Sequence, residues 1–286
     1  MKKSLIIDVQ KEKKEFRNKL SEFVKSLKSH VSTDSNDWTI KGFIDVFKNI
    51  YTISADTKIV SKILEIHIFP KILQFASDNN FNIVLADHQN YYPDISFVKK
   101  DDENIKFAVD FKTTYRLNNN PEYCNGFTLG SHGEYFTNRT SKKNIQFPYN
   151  EYLGHFCLGI IYSRNASEDI DETKIHPIEK LKSIVSVIKD FEFFVCEKWE
   201  IASERSGSGN TANIGSISKI DDIINGNGMF KHLGEKIFDD YWMNYGKITI
   251  TDEDNKEKKI RNLKDFLIFK GIDTEKINVR TKKVKK

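Results

Sequence analysis

Two aspartates and a lysine in the first half of the chain have the types and the spacing for metal-dependent chemistry. Asp94 precedes a predicted strand, and Asp110, Phe111 and Lys112 lie within the next one. Because side chains alternate between the two faces of a strand, Asp110 and Lys112 project together while Phe111 points into the core. In a hairpin, Asp94 can converge on the same point. Two carboxylates suit a hard cation such as Mg²⁺, and a neighbouring ammonium can orient an attacking water and stabilise a phosphorane-like transition state.

The (D/E)xK pattern is common in this chain, so its context decides its meaning. Similar triplets begin at Asp56 and Glu172, where solvated surface charge or the start of a helix is the better interpretation. Asp110 and Lys112 instead lie in an apolar, β-prone stretch, where a charged pair is costly unless it is paired or bound to a metal. Glu65 lies beside the apolar stripe of a predicted helix, as either an exposed glutamate or a further acidic ligand.

Apolar periodicity predicts the elements that position these residues. Two amphipathic helices are expected at 10–29 and 56–76, with Asp56 as the N-cap of the second helix and Pro70 as a kink or a break. In chain order, the remaining predictions are a strand at 81–85, a turn at 88–94, strands at 95–99 and 105–115 around a turn at 101–104, a loop at 117–125, a helix or helix–strand unit at 146–162, a polar surface segment at 163–174, a strand at 191–201 and a helix at 238–245.

The composition is typical of a globular protein inside the cell. Hydrophobic residues make up 38% of the 286 residues and only 5 are proline, which excludes collagen-like, low-complexity and wholly disordered chains. Apolar runs are far shorter than a membrane span, and Asp8 ends the N-terminal apolar stretch too early for a secretory signal. Three cysteines without a CxxC pair indicate neither a disulfide framework nor a zinc knuckle. We expect a cytoplasmic protein with no membrane partner.

Positive charge is concentrated at the C-terminus. The net charge is +4, and residues 251–286 alone contain 12 basic and 7 acidic side chains. A basic tail can attract a polyanion by releasing its counterions, and it can equally be a solvated terminus. Since the rest of the chain is nearly neutral, a nucleic acid would have to bind there through local grooves.

A segment rich in glycine, serine and asparagine at 203–215 follows the strand predicted at 191–201. It is not a phosphate-binding P-loop, because no Gly-Lys-Ser/Thr follows at the required distance. It is either an ordinary flexible hairpin loop or a segment that enters a DNA groove. Glycines allow the backbone to approach base edges closely, asparagine amides can bond adenine, and a threonine methyl can contact thymine.

Several ordered blocks of the chain between Ile53 and Tyr245 resemble the type II restriction endonucleases of the PD-(D/E)XK nuclease superfamily. The blocks span 54–58, 90–94, 109–115, 127–130, 144–155, 198–217 and 240–245. The long block that contains the glycine-rich loop is much more specific than the short acidic motif. The resemblance implies an α/β fold with a restriction-endonuclease-like mixed central β-sheet, flanked by helices, and a small dimerisation subdomain.

The resemblance also implies a role for each site residue. Asp94, Asp110 and Glu65, together with the carbonyl of Phe111, would hold Mg²⁺, and Lys112 would position or activate the water. The loop would read bases in the major groove, and other residues would lie along the minor groove and the DNA backbone. The expected DNA contacts are Gly207, Ser208, Gly209, Asn210, Thr211, Asn213, Gln89, Asn90, Lys58, Thr113 and Thr114.

Taken together, the resemblance implies a homodimer that cuts both strands of a short palindrome in double-stranded DNA, since a two-fold protein matches a two-fold site. The implied site is GATATC, with a blunt cut that leaves 5′-phosphates, and a cognate DNA methyltransferase is expected in the same cell. Residues 1–286 would form a single domain, with an N-terminal helical extension (1–37), a dimerisation segment (38–55), a catalytic and DNA-binding core (56–245) and a basic C-terminal tail (246–286).

The chain departs from the family pattern at several points. Ala212 stands where the family loop has a second threonine, the N-terminal helix is longer, and the region 163–189 carries a larger insertion. Two other functions fit the same fold, namely a DNA-binding protein that does not cut and a repair nuclease that selects DNA structure. The intact Asp94, Asp110 and Lys112 disfavour the first function, and the base-reading loop disfavours the second.

Overall fold

Apolar segments of the chain form a central mixed β-sheet, and amphipathic segments form helices that pack on it. The computed structural model describes residues 8–88, 90–165, 170–207, 212–251 and 256–278. Within these ranges the helices are α1 (Val9–Val31), α2 (Thr57–Asp78), α3 (Glu134–Thr137), α4 (Ile220–Ile224), α5 (Glu235–Asn244) and α6 (Leu263–Phe269). The strands are β1 (Gly42–Ile44), β2 (Asn49–Thr52), β3 (Phe81–Leu85), β4 (Ile95–Lys99), β5 (Lys106–Leu117), β6 (Asn120–Cys124), β7 (Thr128–Ser131), β8 (Gly154–Arg164), β9 (Ile175–Pro177), β10 (Ile188–Glu197), β11 (Ala202–Ser206), β12 (Asn213–Ser216), β13 (Thr249–Thr251) and β14 (Glu257–Lys259).

The central sheet has the strand order β10-β8-β5-β4-β3, with β6 pairing to β5. Strands β5 and β8 are parallel, whereas the other pairs of this sheet are antiparallel. Two further sheets matter for the site and for its surroundings. Strands β11, β12 and β7 form one, which we call the loop sheet, and strands β1, β2 and β9 form the other. The sheet therefore has the mixed, helix-flanked arrangement that the resemblance implies.

Two apolar cores lie on the two faces of the central sheet. One contains α1 and α2, and the ring of Phe16 on α1 stacks on Phe107 of β5 with the ring centroids 4.1 Å apart. The other contains α5, α6 and the strands of the loop sheet, with Trp242 fully buried among them. Successive residues of β8, such as Phe156 and Cys157, enter opposite cores. This strand is therefore buried on both faces.

Several predicted elements are confirmed. The strands at 81–85 and 95–99 have the predicted bounds, and α1 extends the predicted helix 10–29 by a few residues. The side chain of Asp56 caps α2 by accepting hydrogen bonds from the N–H groups of Lys58 and Ile59. Pro70 lies inside α2, so the alternative of a break at this residue is wrong.

Other predictions are wrong in their details. The predicted loop at 117–125 contains β6, and the predicted loop at 203–215 contains most of β11 and part of β12. The segment 146–162 contains no α-helix, since a single 3-10 turn (Tyr149–Glu151) precedes the long strand β8. Its run of apolar residues reflects burial on both faces of the sheet, a pattern that a buried helix shares.

The segment predicted as a basic C-terminal tail is folded for much of its length. Ile260, Leu263, Phe266 and Leu267 are buried in the second core, and β13 pairs with β14. The charged residues of this segment therefore cover an apolar face, and a wholly solvated terminus is wrong for residues 256–278. In the ranges that the structure describes, no helix is long and apolar enough to cross a bilayer.

Candidate active site

Pairing of β4 with β5 brings the two aspartates together. The register places Ile95 opposite Val109, so positions 94 and 110 are neighbours at the end of this ladder. The backbone N–H of Asp94 donates to Oδ1 of Asp110 at 3.3 Å, and the N–H of Phe111 donates to Oδ2 of Asp94 at 2.7 Å. The two strands thus hold both carboxylates at one point, as their spacing predicts.

Lys112 completes this cluster on the same face of β5 as Asp110. Its Nζ lies 2.5 Å from Oδ2 of Asp110, and both side chains are mostly buried. Burial by itself would raise the pKa of Asp110, but the charge and the hydrogen bond of Lys112 lower it. Burial would also lower the pKa of Lys112, but the charges of Asp110 and Asp94 raise it. Both groups are therefore charged at neutral pH.

Asp94 has a different electrostatic setting. Although the residue is partly exposed, surrounding protein displaces much of the water around its carboxylate, and this loss of water, followed by the nearby charge of Asp110, raises the pKa of Asp94 to about 7. Lys112 and the N–H of Phe111 act in the opposite direction. The site thus holds two carboxylates whose negative charges repel each other. A bound cation would relieve this repulsion.

The donor set of the site fits a divalent metal ion. Carboxylate oxygens are hard ligands, and Mg²⁺ is commonly held by one or two carboxylates while it retains several waters. Across the described ranges, no group of three or more His, Cys, Asp or Glu side chains is placed to hold a metal ion. Asp94 and Asp110 are the candidate side-chain ligands, and a role for the Phe111 carbonyl remains a prediction.

Glu65 does not join the two aspartates in this structure. Its carboxylate forms an ion pair with Lys62 one turn earlier on α2, at 2.8 Å. A hydrogen bond to Glu65 raises the pKa of Lys62, and the charge of Asp94 contributes in the same direction. Lys62 thus interacts with both acidic groups, and a direct metal contact by Glu65 stays a prediction.

The predicted DNA contacts are distributed unevenly around the site. Asn90 and Lys58 are exposed, and Asn213 is half-buried. Thr113 donates its hydroxyl hydrogen to Oγ of Ser61 at 2.8 Å. Thr114 is buried and donates to the carbonyl of a neighbouring loop residue, so its hydroxyl is engaged within the protein. Gln89 and the loop residues Ser208, Gly209, Asn210 and Thr211 lie outside the described residues.

A cavity of about 280 Å³ connects the acidic cluster with the base of the loop. Asp110 lines it from one side and Asn213, at the start of β12, lines it from another. Asn90 and Lys143 also contribute to its wall. The loop base itself is closed by the N–H of Gly207, which donates to the carbonyl of Asn213 at 2.8 Å. Groups suited to cleavage and groups suited to base recognition therefore face the same space.

Sequence reasoning missed a buried layer beneath the cluster. Lys198 is almost fully buried, with its Nζ 4.2 Å from the ring centroid of Tyr92. The hydroxyl of Tyr92 forms a hydrogen bond with Nδ1 of His155 at 3.0 Å. Burial, reinforced by the charge of Lys198, lowers the pKa of His155, which is therefore neutral. The only signal in the sequence is that Glu197 and Lys198 follow a strand-like apolar run, and this signal does not indicate a contact with Tyr92.

A mixed sheet whose adjoining strands bring Asp94, Asp110 and Lys112 together defines a restriction-endonuclease-like nuclease. The family model described as restriction endonuclease EcoRV matches residues 34–271. The Type II restriction enzyme EcoRV of Escherichia coli is 33% identical over 241 residues, which cover 83% of this chain and 94% of that protein. The chain belongs to the EcoRV family of restriction endonucleases, and it is a type II restriction endonuclease that acts on DNA.

This membership argues against both alternative functions considered for the sequence, since neither a non-cutting DNA-binding protein nor a repair nuclease is a type II restriction endonuclease. Enzymes of the family depend on a divalent metal ion, in agreement with the donor set of Asp94 and Asp110. The first helix, α1, lies entirely outside the matched residues, although Phe16 packs on the central sheet.

Proposed function

We propose that the protein cuts both strands of the palindrome GATATC in a Mg²⁺-dependent reaction, with a blunt cut that leaves 5′-phosphates and 3′-hydroxyls. The observation that carries this proposal is the shared cavity, in which Asp110 and Asn213 face the same space. A DNA duplex whose bases are read by the loop would therefore have its backbone beside the acidic cluster.

The reaction would be direct hydrolysis of a phosphodiester by water, without a covalent enzyme intermediate. Asp94 and Asp110 would hold Mg²⁺, which supplies a Lewis acid and lowers the pKa of a bound water. Lys112 would orient the attacking water and place a fixed positive charge beside the phosphate as negative charge develops on it. The ion pair with Asp110 keeps this ammonium in place and charged.

The proposed recognition sequence rests on the base-reading loop, from Gly207 to Asn213. Ala212 replaces a threonine of the family pattern, but the backbone of this residue still makes a loop contact. Its carbonyl accepts a hydrogen bond from the N–H of His132 at 2.8 Å. Since that contact needs no side chain, alanine at this position is compatible with it, and we propose the same recognition sequence.

The proposal is tested by digesting a plasmid with a single GATATC site and a matched plasmid in which one base pair of that site is changed. We expect Mg²⁺-dependent linearisation of the first plasmid alone, with blunt ends when the fragment is sequenced. The variant Asp110→Asn, which keeps the side-chain shape, should bind the site but not cut it. Cleavage at another sequence would reject GATATC as the recognition sequence. Cleavage by Asp110→Asn at the normal rate would reject the proposed role of Asp110 in the active site.

A homodimer formed through the segment 38–55 is part of the same proposal. Apolar side chains are unusually exposed around the β1–β2 turn, where Val46 is 89% and Phe47 is 81% accessible. Ile175 of the adjoining strand β9 is also exposed. Exposed apolar patches of this kind mark interaction surfaces, and a two-fold dimer matches a palindromic site. Sedimentation analysis should show a dimer that Phe47→Asp converts to a monomer, and an unchanged dimer would move the interface elsewhere.

Two expectations about the cell follow from cleavage at GATATC. The enzyme would act in the cytoplasm, where the DNA is, and a cognate DNA methyltransferase would have to protect the same sequence in the host chromosome.

A further inference from the structure

Lys198 is a buried lysine with an unusual environment. Its side chain is among the largest that are fully buried, with a relative exposure of 2%. Among the described residues, its Nζ has no hydrogen-bond partner. An ammonium group buried in this way is costly unless charge or aromatic faces compensate it. A role at the acidic cluster, beneath which it lies, would explain why a lysine occupies this position.

The backbone that carries Lys198 is firmly held. Lys198 begins a 3-10 turn whose two ends close a capping box, in which the N–H of Glu197 donates to Oε2 of Glu200 at 2.8 Å. Outside the turn, Lys13 of α1 forms an ion pair with Glu197, and Arg17 pairs with Glu200 at 2.8 Å. The lysine is thus directed inward by a turn that is anchored on both sides.

Aromatic rings and a glycine surround the ammonium. Nζ lies 4.2 Å from the ring centroid of Tyr92 and 5.5 Å from that of Tyr149. Gly130 has a φ of +92°, and a Cβ at this position would lie 3.3 Å from Nζ. Tyr92 and Gly130 also line the cavity that contains Asp110. Lys198 therefore lies directly behind the wall of the cavity. Tyr92, whose ring it faces, precedes Asp94 by two residues in the chain.

Lys198 adds a positive charge to the site besides those of Lys112 and of Lys62, which is paired with Glu65. Asp94 and Asp110 can contribute two negative charges, and Lys112 contributes one positive charge. Burial lowers the pKa of Lys198 to about 8 while the charge of Asp110 opposes this shift, so the ammonium is charged at neutral pH. Lys198 thus supplies a buried positive charge beneath the two aspartates.

We propose that Lys198 is a positioning residue of the cleavage site, whose buried charge acts through Asp110 and Tyr92. It offsets one carboxylate of the metal-free site and strengthens the positive field that meets the DNA phosphate. This inference rests on the proposed function of Asp94 and Asp110 as the metal ligands. It predicts that loss of the charge, without loss of volume, tightens binding of a cation and slows cleavage.

A lysine that only fills space predicts a different result. If packing were its whole role, Lys198→Met would leave both cation affinity and cleavage unchanged, or would weaken both through disorder. Opposite changes in the two quantities are expected only from the charge. The direction of the change in cation affinity therefore distinguishes the two roles.

The test uses the full chain without DNA and Mn²⁺ as the probe, with free Mn²⁺ measured by electron paramagnetic resonance. We expect Lys198→Met to bind Mn²⁺ about threefold or more tightly than the wild type, since a like charge near the ligands is removed. At saturating Mg²⁺, the single-turnover rate on duplex DNA should fall about tenfold or more, because the transition state loses a fixed positive charge. Lys198→Gln should behave in the same way, and Lys198→Arg should retain the wild-type affinity.

Lys106→Met is the matched control. Lys106 is also a mostly buried lysine beside an aromatic ring, with its Nζ 5.2 Å from the ring centroid of Phe147, but it pairs with Glu151. It precedes Asp110 by four residues on the same strand, about 13 Å away, so its removal should change neither Mn²⁺ affinity nor cleavage. Chemical denaturation of each variant establishes that it is folded.

Three outcomes separate the two hypotheses. Unchanged or weaker Mn²⁺ binding by folded Lys198→Met and Lys198→Gln overturns the role of Lys198. An equal gain in affinity with Lys106→Met also overturns it, because the effect would then be one of overall charge. Mn²⁺ binding that survives Asp110→Asn at full strength overturns the proposed metal site itself, and the role of Lys198 falls with it.

Discussion

The strands that carry the acidic cluster and the short sheet that carries the base of the loop are built differently. Strands β5 and β8 pair over nine consecutive residue pairs without a register shift. In the loop sheet, the register shifts between Ala202 and Ser206 in β11 and between Asn213 and Gly215 in β12. A continuous ladder fixes the direction of its side chains, whereas an irregular one must be fixed by additional packing.

Close packing at Gly207 provides this additional packing at the base of the loop. A Cβ at Gly207 would lie 2.6 Å from Cγ2 of Thr128 on β7, closer than side-chain atoms can approach. Under the proposed function, cleavage would depend on the charges of buried side chains, whereas recognition would depend on how closely two segments of the chain approach each other. The two regions should therefore respond to different substitutions.

The largest loss of cleavage rate is expected from the variant Lys112→Met. The variant removes the fixed positive charge beside Asp110 and keeps an unbranched side chain of similar volume. We expect the single-turnover rate of DNA cleavage to fall about 1000-fold, by analogy with the loss of a preorganised electrostatic group in other enzymes. Preference for GATATC over a sequence changed at one base pair should persist in binding assays, because the loop sheet is untouched.

Lys106→Met again provides the control for a lysine on the same strand, and it should cut normally. If Lys112→Met lost sequence preference as strongly as it lost cleavage, the two regions would not be independent. A fall in rate of less than about tenfold would show that Lys112 has little part in the chemistry.

The same comparison explains how much the sequence could predict. Asp94, Asp110 and Lys112 were found because a period of two and a short hairpin determine which side chains meet. The strand at 95–99 was placed correctly for the same reason. Strand β8 lacked this signal, since both of its faces are buried and its apolar run has no alternation.

Features that depend on distant parts of the chain could not be predicted. The sequence gives no indication that Lys198 is buried against Tyr92, because that contact joins residues far apart in the chain. The C-terminal segment was misinterpreted for another reason. Its basic residues dominate the composition, although the spacing of Leu263, Phe266 and Leu267 is that of a helix with one buried face.

A smaller effect, confined to recognition, is expected from Gly207→Ala. The added methyl must displace the methyl of Thr128 or the backbone at the loop base. We expect kcat/KM on GATATC to fall about 10- to 100-fold, the equivalent of one lost base contact. Affinity for Mn²⁺ in the absence of DNA should be unchanged, because Asp94 and Asp110 are held by the other sheet.

Thr128→Ser provides a specific rescue of this variant. Serine lacks Cγ2, and the next atom of residue 128 is 3.5 Å from the position of the added methyl, an ordinary contact. The double variant should recover most of the lost kcat/KM, whereas Thr128→Ser alone should resemble the wild type. If the double variant is as impaired as Gly207→Ala, the collision with Thr128 is not the cause.

The effect that most sharply separates the two regions needs no substitution, and it is the pH dependence of cation binding. Because the pKa of Asp94 is raised to about 7, its carboxyl holds a proton in the folded, metal-free protein at lower pH. A cation must displace that proton, so Mn²⁺ affinity should rise up to about tenfold per pH unit below pH 7 and level off above it. Gly207→Ala should leave this profile unchanged.

The raised pKa of Asp94 also determines whether the free energy of unfolding rises or falls with pH. Between the ordinary pKa of 3.8 and the raised value of about 7, the folded state binds more protons at Asp94 than the unfolded state does. This group therefore makes the metal-free protein lose free energy of unfolding as the pH rises through that interval. Chemical denaturation at several pH values should show this loss of free energy of unfolding. The variant Asp94→Asn should lose the part of the pH dependence that Asp94 contributes. A Mn²⁺ affinity that is flat from about pH 5.5 to 7 would mean that Asp94 is already ionised, and that the two carboxylates of the cluster do not oppose each other.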